Sequence, residues 1–279
     1  MEWIQSLNLA VDYIENHLLT EITSEDVANQ VYISTFHFQR TFKLLTSLTV
    51  SEYIRNRRLS LAGQDLTREN AKIIDIANKY CYDTPESFTK AFSRFHGITP
   101  SQAKKEGSNL KSFNRLIIKI KLEGGNIMDY KIVKKDGFKV IAKIKIFNED
   151  NSTKGIPAYW DEYFSMGLGN KVPGAMGICA QEIIGSKEFK YGIGCAASWV
   201  KEIPEGFEVI EIPAHTWAIF TCIGAMPDAI QNMWKRIYSE WLPQAAYELI
   251  SDYDIEFYTD GDTQSANYSS EIWIPVKEK

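Results

Sequence analysis

No two of the four cysteines (Cys81, Cys179, Cys195, Cys222) are spaced as C-x-x-C, and the four histidines are scattered. The chain therefore offers neither a zinc knuckle nor a disulfide framework, and the thiols read as reduced and mostly structural. Long apolar runs are missing, and the acidic, amphipathic start is unlike a signal peptide. A soluble, cytoplasmic protein without a membrane partner is expected. No nucleophile, base and orienting group stand together, so neither catalytic residues nor a metal or cofactor is expected. Lysine and arginine are absent from residues 1–39.

That last absence belongs to an uneven charge distribution. The net charge of −5 divides into +2 over residues 1–125 and −7 over residues 126–279, while residues 34–121 carry 16 basic against 7 acidic side chains. A length of 279 residues suggests two domains, each able to bury a core. A basic block inside an acidic chain fits phosphate-backbone binding, although a solvated helix face gives the same count.

Residues 1–107 read as all helical. Ile4, Leu7, Ala10, Val11, Ile14 and Leu18 recur at helical spacing, Ser24 opens a short second helix ending near Val31, and Ser34 is suited to cap a third. Residues 24–45 thus read as helix, tight turn, helix, with Phe38, Thr41 and Phe42 inward and Phe36, Gln39, Arg40 and Lys43 in the opposite stripe. A longer helix from about Thr49 to Leu66 carries Arg55, Arg57 and Arg58. The pattern then recurs: Val27-Ala28-Asn29 matches Ile76-Ala77-Asn78 at an offset of 49, and Phe38/Phe42 matches Phe88/Phe92 at an offset of 50. The second copy starts on Thr84-Pro85, a cap followed by proline at the first helical position.

Two such units joined by one helix, with the stretch YCYDTPESFTKAFSRFHGITPSQ at 80–102, resemble the DNA-binding domain of the AraC/XylS transcriptional activators. Cys81 stands where that family usually has glycine. A recognition helix presents its outer stripe to the major groove, where glutamine can pair with an adenine edge, arginine with a guanine edge and an aromatic ring with a thymine methyl. Phe36, Gln39 and Arg40 form such a set, while Lys43, Arg55, Arg57 and Arg58 suit phosphates. The resemblance places Pro85, Glu86, Ser87 and Lys90 at the second unit's base-contacting positions, a poorer hydrogen-bonding set; Glu86 and Lys90 could equally form an intrahelical ion pair.

A connecting segment is read at 108–127. Arg115 to Leu122 alternates like a strand, and Gly124-Gly125-Asn126 signals a hairpin turn. Residues 128–279 then mix strands near Phe138–Ile146, Tyr191–Ala197, Thr216–Gly224 and Asp254–Thr259 with helices near Tyr159–Met166 and Asp228–Glu240, an α+β pattern. IPEGFEVIEIPAHTWAIF (203–220), DIEFY (254–258) and EIWIPV (271–276) resemble the gyrase-inhibitor-like effector-binding domain. That likeness implies duplicated βαββ halves around a ligand cleft, with Glu256 facing organic, often cationic, ligands.

Six of the seven tryptophans (Trp160, Trp199, Trp217, Trp234, Trp241, Trp273) lie in this acidic half. Aromatic faces around one carboxylate make a cage for a lipophilic cation. Glu256, Tyr191, Trp160, Trp199 and Tyr258 are the expected ligand-binding residues, whereas Trp234 and Trp241 sit in an apolar helical pattern and read as core. The two resemblances imply a ligand-responsive, multidrug-sensing type of regulator, with promoter DNA, a small-molecule effector and RNA polymerase as partners. The alternatives for the second domain are a hydrolase of reactive natural products, using Glu256 as general base, and a module that binds gyrase or another protein.

Overall fold

The computed structural model describes residues 3–31, 35–68, 71–117, 127–182, 188–250 and 252–279, and the chain divides into two compact units, Met1–Lys121 and Leu122–Lys279.

The first unit is helical: α1 (Trp3–Asn16), α2 (Ser24–Gln30), α3 (Thr35–Thr46), α4 (Val50–Leu66), α5 (Ile73–Lys79), α6 (Pro85–His96) and α7 (Pro100–Ala103). Threonine starts four of these. Thr23, Thr49 and Thr99 close capping boxes with Asp26, Glu52 and Gln102, and Thr84 accepts from the Ser87 amide ahead of Pro85. Each cap satisfies amides that a helix start leaves without partners. Ser34 lies outside the described residues. The repeat survives in three dimensions, with Phe38 and Phe42 5.7 Å apart and Phe88 and Phe92 5.4 Å apart, all four rings buried. Asp65, at the end of α4, accepts from Lys79 Nζ at 2.6 Å and the Tyr80 hydroxyl at 2.8 Å, which ties α5 to the connecting helix.

The described part of the connecting segment lies mostly ahead of the strand expected at Arg115–Leu122. Residues 108–117 form no strand. Their backbone groups are taken up by side chains: the Lys111 amide donates to His96 Nδ1 (3.1 Å), the Phe113 amide to Ser60 Oγ (2.9 Å) and the Leu116 amide to the Tyr53 hydroxyl (3.1 Å). Of the alternating run Arg115 to Leu122 only residues 115–117 are described, and there the Leu116 amide is satisfied by the Tyr53 side chain of the helical unit. Residues 118–126, including the Gly124-Gly125-Asn126 turn, lie outside the described residues.

His96 can accept from the Lys111 amide only if Nδ1 carries no proton, which leaves Nε2–H to donate to the Leu59 carbonyl at 3.0 Å. Burial holds its pKa below the ordinary histidine value. Below about pH 6.5 the unfolded chain binds a proton that the folded ring resists, so stability from this site is lost as pH falls from there toward the folded pKa. An NMR titration of the His96 ring is expected to show a midpoint below about 6.5; a midpoint at or above that value would contradict the neutral, doubly bonded ring.

Among its described residues the second unit is one antiparallel sheet of nine strands with two α-helices. In chain order it runs β1 (Tyr130–Lys135), β2 (Phe138–Asn148), α8 (Glu149–Ser165), β3 (Met176–Glu182), β4 (Glu188–Ala196), β5 (Glu208–Ile212), β6 (His215–Ile223), α9 (Asp228–Arg236), a π-type turn (Ile237–Trp241), β7 (Tyr247–Leu249), β8 (Asp254–Tyr258) and β9 (Ser269–Glu278). The sheet order β1-β6-β9-β8-β3-β4-β2-β5, with β7 beside β9, is palindromic. One strand–helix–strand–strand unit (β2, α8, β3, β4) meets a second (β6, α9, β8, β9) at the central β3–β8 pair, and each half borrows its outer strand from before the other. The duplicated halves that the resemblance implies are therefore present as a fold-level repeat.

Helix α8 starts ten residues before the expected Tyr159. Asn148 and Asn151 form a capping box at its start, and Pro157 is carried within the helix. Alternation along the strands separates two faces. Val140, Ile178, Ile210, Trp217, Ile219 and Ile255 form a buried cluster on one. Tyr191, Gly177 and Glu256 share the other, since Cys179 pairs with Tyr191 and Gly177 with Glu256.

Candidate functional site

The outer faces of α3 and α6 are the candidate nucleic-acid surface. On α3, Phe38, Thr41 and Phe42 are buried as the periodicity requires. Gln39 is a correction: at 6% exposure it lies inward, not in the outer stripe. Thr35, Phe38, Gln39, Thr41 and Phe42 together fill an arc of about 160°, wider than the two phenylalanines alone suggest. Arg40 and Lys43 stay half-buried outside that arc. The Phe36 side chain lies outside the described residues.

On α4, Arg55 is exposed. The Thr49 capping bonds hold the Glu52 carboxyl below the usual range, with the Arg55 and Lys43 charges adding to the effect. Arg57 and Arg58 are corrections. Arg57 donates through Nε and Nη2 to both Glu15 oxygens at 2.8 and 2.7 Å, and through Nη1 to the Phe113 carbonyl. Arg58 donates to the Leu18 and Thr20 carbonyls. Both guanidinium groups bind α1 and its end, because planar forked donors match carboxylates and carbonyls inside the unit as well as they match phosphates.

On α6, Glu86, Ser87, Lys90 and Arg94 are exposed and Pro85 is half-buried. Pro85, Glu86, Thr89, Lys90 and Ser93 line a shallow depression of about 360 Å³. Glu86 and Lys90 form no ion pair among the described residues, so both charges face outward. With Gln39 turned inward, the first unit loses part of the hydrogen-bonding advantage its sequence suggested.

The second candidate site is on the helix-bearing face of the sheet. Glu256 sits at the centre, paired across β3–β8 with Gly177. Its Oε1 accepts from Trp234 Nε1 of α9 at 2.8 Å, and its Oε2 from the Tyr258 hydroxyl at 3.0 Å. Trp160 of α8 makes an edge contact with the Tyr258 ring at 5.0 Å and donates Nε1 to the Tyr191 hydroxyl at 3.0 Å. That hydroxyl overhangs Gly177, where a Cβ would come within 2.2 Å of it, so a side chain at 177 would displace Tyr191. The arrangement is a carboxylate held by two aromatic donors and flanked by rings from both helices.

The structure brings Trp160, Tyr191, Glu256 and Tyr258 together. Trp199 is not with them: it is 54% exposed and makes an edge contact with Phe257, which alternates to the opposite face of β8. Trp234, which the sequence pattern reads as core, and Gly177, which it does not single out, also belong to the site. Trp234 is fully buried, as its apolar pattern requires, yet its indole edge reaches Glu256. An amphipathic tryptophan can satisfy both demands. Cys222 lies nearby, its thiol pushed up to about 12 by burial, with the Glu256 charge contributing.

Residues 131–276 match the family model described as "integron-associated effector binding protein", and residues 27–106 match one for a helix-turn-helix domain. Over 89 residues the chain is 37% identical to the HTH-type transcriptional activator AarP of Providencia stuartii, covering 32% of this chain and 66% of that protein. It is 39% identical over 89 residues to the transposon Tn10 TetD protein of Escherichia coli, covering 32% and 64%. Over 100 residues it is 35% identical to the uncharacterized HTH-type regulator YbfP of Bacillus subtilis, covering 36% and 34%. The chain thus spans between a third and two thirds of the length of these relatives. A solved structure of SAV2435 bound to tetraphenylphosphonium aligns with a TM-score of 0.49 at 23% identity, covering 54% of this chain and 94% of that one. Among the described residues no helix is long and apolar enough to cross a membrane.

Proposed function

Because the chain belongs to the family of integron-associated effector-binding proteins through residues 131–276 and carries an AraC-type helix-turn-helix domain before them, we propose that it is a ligand-responsive transcriptional regulator. The helical unit binds promoter DNA, the second unit binds a small lipophilic, cationic aromatic compound, and the ligand shifts an equilibrium between arrangements of different DNA affinity. RNA polymerase is the partner such a regulator acts on.

The observation that carries the ligand class is the Glu256 carboxylate, held by Trp234 and Tyr258, with Trp160 edge-on to the Tyr258 ring. A negative charge among aromatic faces attracts a delocalised cation through charge and ring quadrupole together, and neither term favours an anion. Both carboxylate oxygens accept from aromatic donors, which favours charge recognition over the alternative of a general base acting on water. The test is thermal unfolding of the full chain with lipophilic cations, neutral aromatics and organic anions. At 100 times its Kd a ligand adds about 2.7 kcal/mol of stability; cations alone are expected to raise the second unit's transition, and a rise with anions alone would refute the ligand class.

For DNA, Arg40 is the outer-stripe residue of α3 with base-edge chemistry. Arg40→Ala is expected to weaken binding to a selected site by about 1–3 kcal/mol and relax preference at one base position. Unchanged affinity and preference would remove α3 as a reading helix.

A further inference from the structure

The segment 108–117 crosses the helical unit in a fixed sequence of contacts. Its start is at α6, where Leu110 packs against the cluster that holds Leu59, Phe88 and Phe92 and the Lys111 amide binds His96. Its middle is on α4, where the Phe113 amide binds Ser60 and its carbonyl accepts from Arg57. Its end reaches Tyr53 through the Leu116 amide and α1 through an Arg115–Asp12 ion pair. The backbone of residues 111–116 is bound by side chains that the sequence pattern leaves without a DNA role or assigns to phosphate.

The anchors also touch both recognition helices. Tyr53 packs on Phe42 of α3 at 5.8 Å, and its hydroxyl donates to Glu15 while accepting from Leu116. His96 is the last residue of α6, its ring 4.2 Å from that of Phe92. Gly63 of α4 lies beneath that ring, with room for no Cβ: one would stand 2.8 Å from His96 Cε1. A single connecting helix can roll against each half. A second tie between the same halves removes that freedom, and six residues of chain can reach at most about 20 Å, so the tie is short.

We propose that Tyr53, Ser60 and His96 are positioning residues: by binding the backbone of residues 111–116 they fix the spacing and rotation of the two recognition helices, so that the unit accepts one half-site separation. This rests on the reading of the chain as a DNA-binding regulator. The residues touch no base themselves and act through α3 and α6.

The test uses the full chain, the Tyr53→Phe/Ser60→Ala double variant, and a DNA site selected by the unaltered protein from a random library. One base pair inserted between the half-sites rotates the second by about a tenth of a turn. In the unaltered protein this should lower affinity about tenfold or more, and in the variant about threefold or less, with affinity for the original site little changed. An equal penalty in both proteins overturns the proposal, and failure to select any site overturns the regulator reading beneath it. Hydrogen exchange gives a second arm that needs no DNA and survives a variant that does not fold. In the unaltered protein the Lys111, Phe113 and Leu116 amides should exchange at least about 100-fold slower than in an unstructured chain; exchange at the unstructured rate overturns the proposal.

Discussion

Arg57→Ala is expected to destabilise the helical unit by about 3–5 kcal/mol, the cost of breaking a mostly buried charge pair by removing one partner. Arg57 and Glu15 are 13% and 12% exposed, and the pair is bidentate. Without the guanidinium, Glu15 keeps among the described residues the Tyr53 hydroxyl, at 2.6 Å, and the Phe113 carbonyl loses the Arg57 donor. A phosphate contact would behave otherwise. Losing one leaves stability unchanged and reduces the slope of log affinity against log salt by about one unit. Urea unfolding and salt titration on the same variant separate the two roles: a large stability loss with an unchanged slope supports the tie to α1, and the reverse restores the phosphate assignment.

Glu256→Gln is expected to cost a lipophilic aromatic cation about 2–5 kcal/mol of binding while a neutral analogue of the same outline loses well under about 1. The substitution is informative because the amide fits the existing network. Its oxygen can accept from Trp234 Nε1, and its NH2 can donate to the Tyr258 hydroxyl, so the groups that bind the carboxylate keep partners. What is removed is the charge. Titration calorimetry on the full chain reads the difference directly; equal loss of both ligands would make Glu256 structural, and unchanged binding of both would place the ligand elsewhere.

The elements most legible in the sequence are those set by short-range rules. The Phe38/Phe42 and Phe88/Phe92 offsets gave the two helix-turn-helix units, since i and i+4 aromatic pairs leave few alternatives to one buried helix face. Thr23, Thr49 and Thr99, each followed three residues on by an acid or amide, carry the same kind of local signal, although the sequence pattern reads as opening α2 on Ser24 and not as a start for α7. Contacts between elements distant in sequence were harder to read. Arg57 looked like a surface charge because nothing in its own helix reveals Glu15, 42 residues away. Gln39 stood at the margin of a face whose width depends on what packs against α3. In the effector unit, Glu256 and Tyr258 share a face by simple alternation, whereas Trp234 joins them only because α9 packs on β6 and β9, within reach of Glu256 on β8.

The regulator account is tested most directly by linkage between its two ligands. The affinity of the full chain for its selected DNA site should be measured without and with a saturating lipophilic cation, and cation affinity without and with saturating DNA. Coupling between sites is typically about 5–150-fold and must be equal in both directions. The account predicts a change of at least about fivefold in DNA affinity, matched by the same factor in cation affinity. A cation that binds at Glu256 yet leaves DNA affinity unchanged, with DNA leaving cation affinity unchanged in turn, would contradict it.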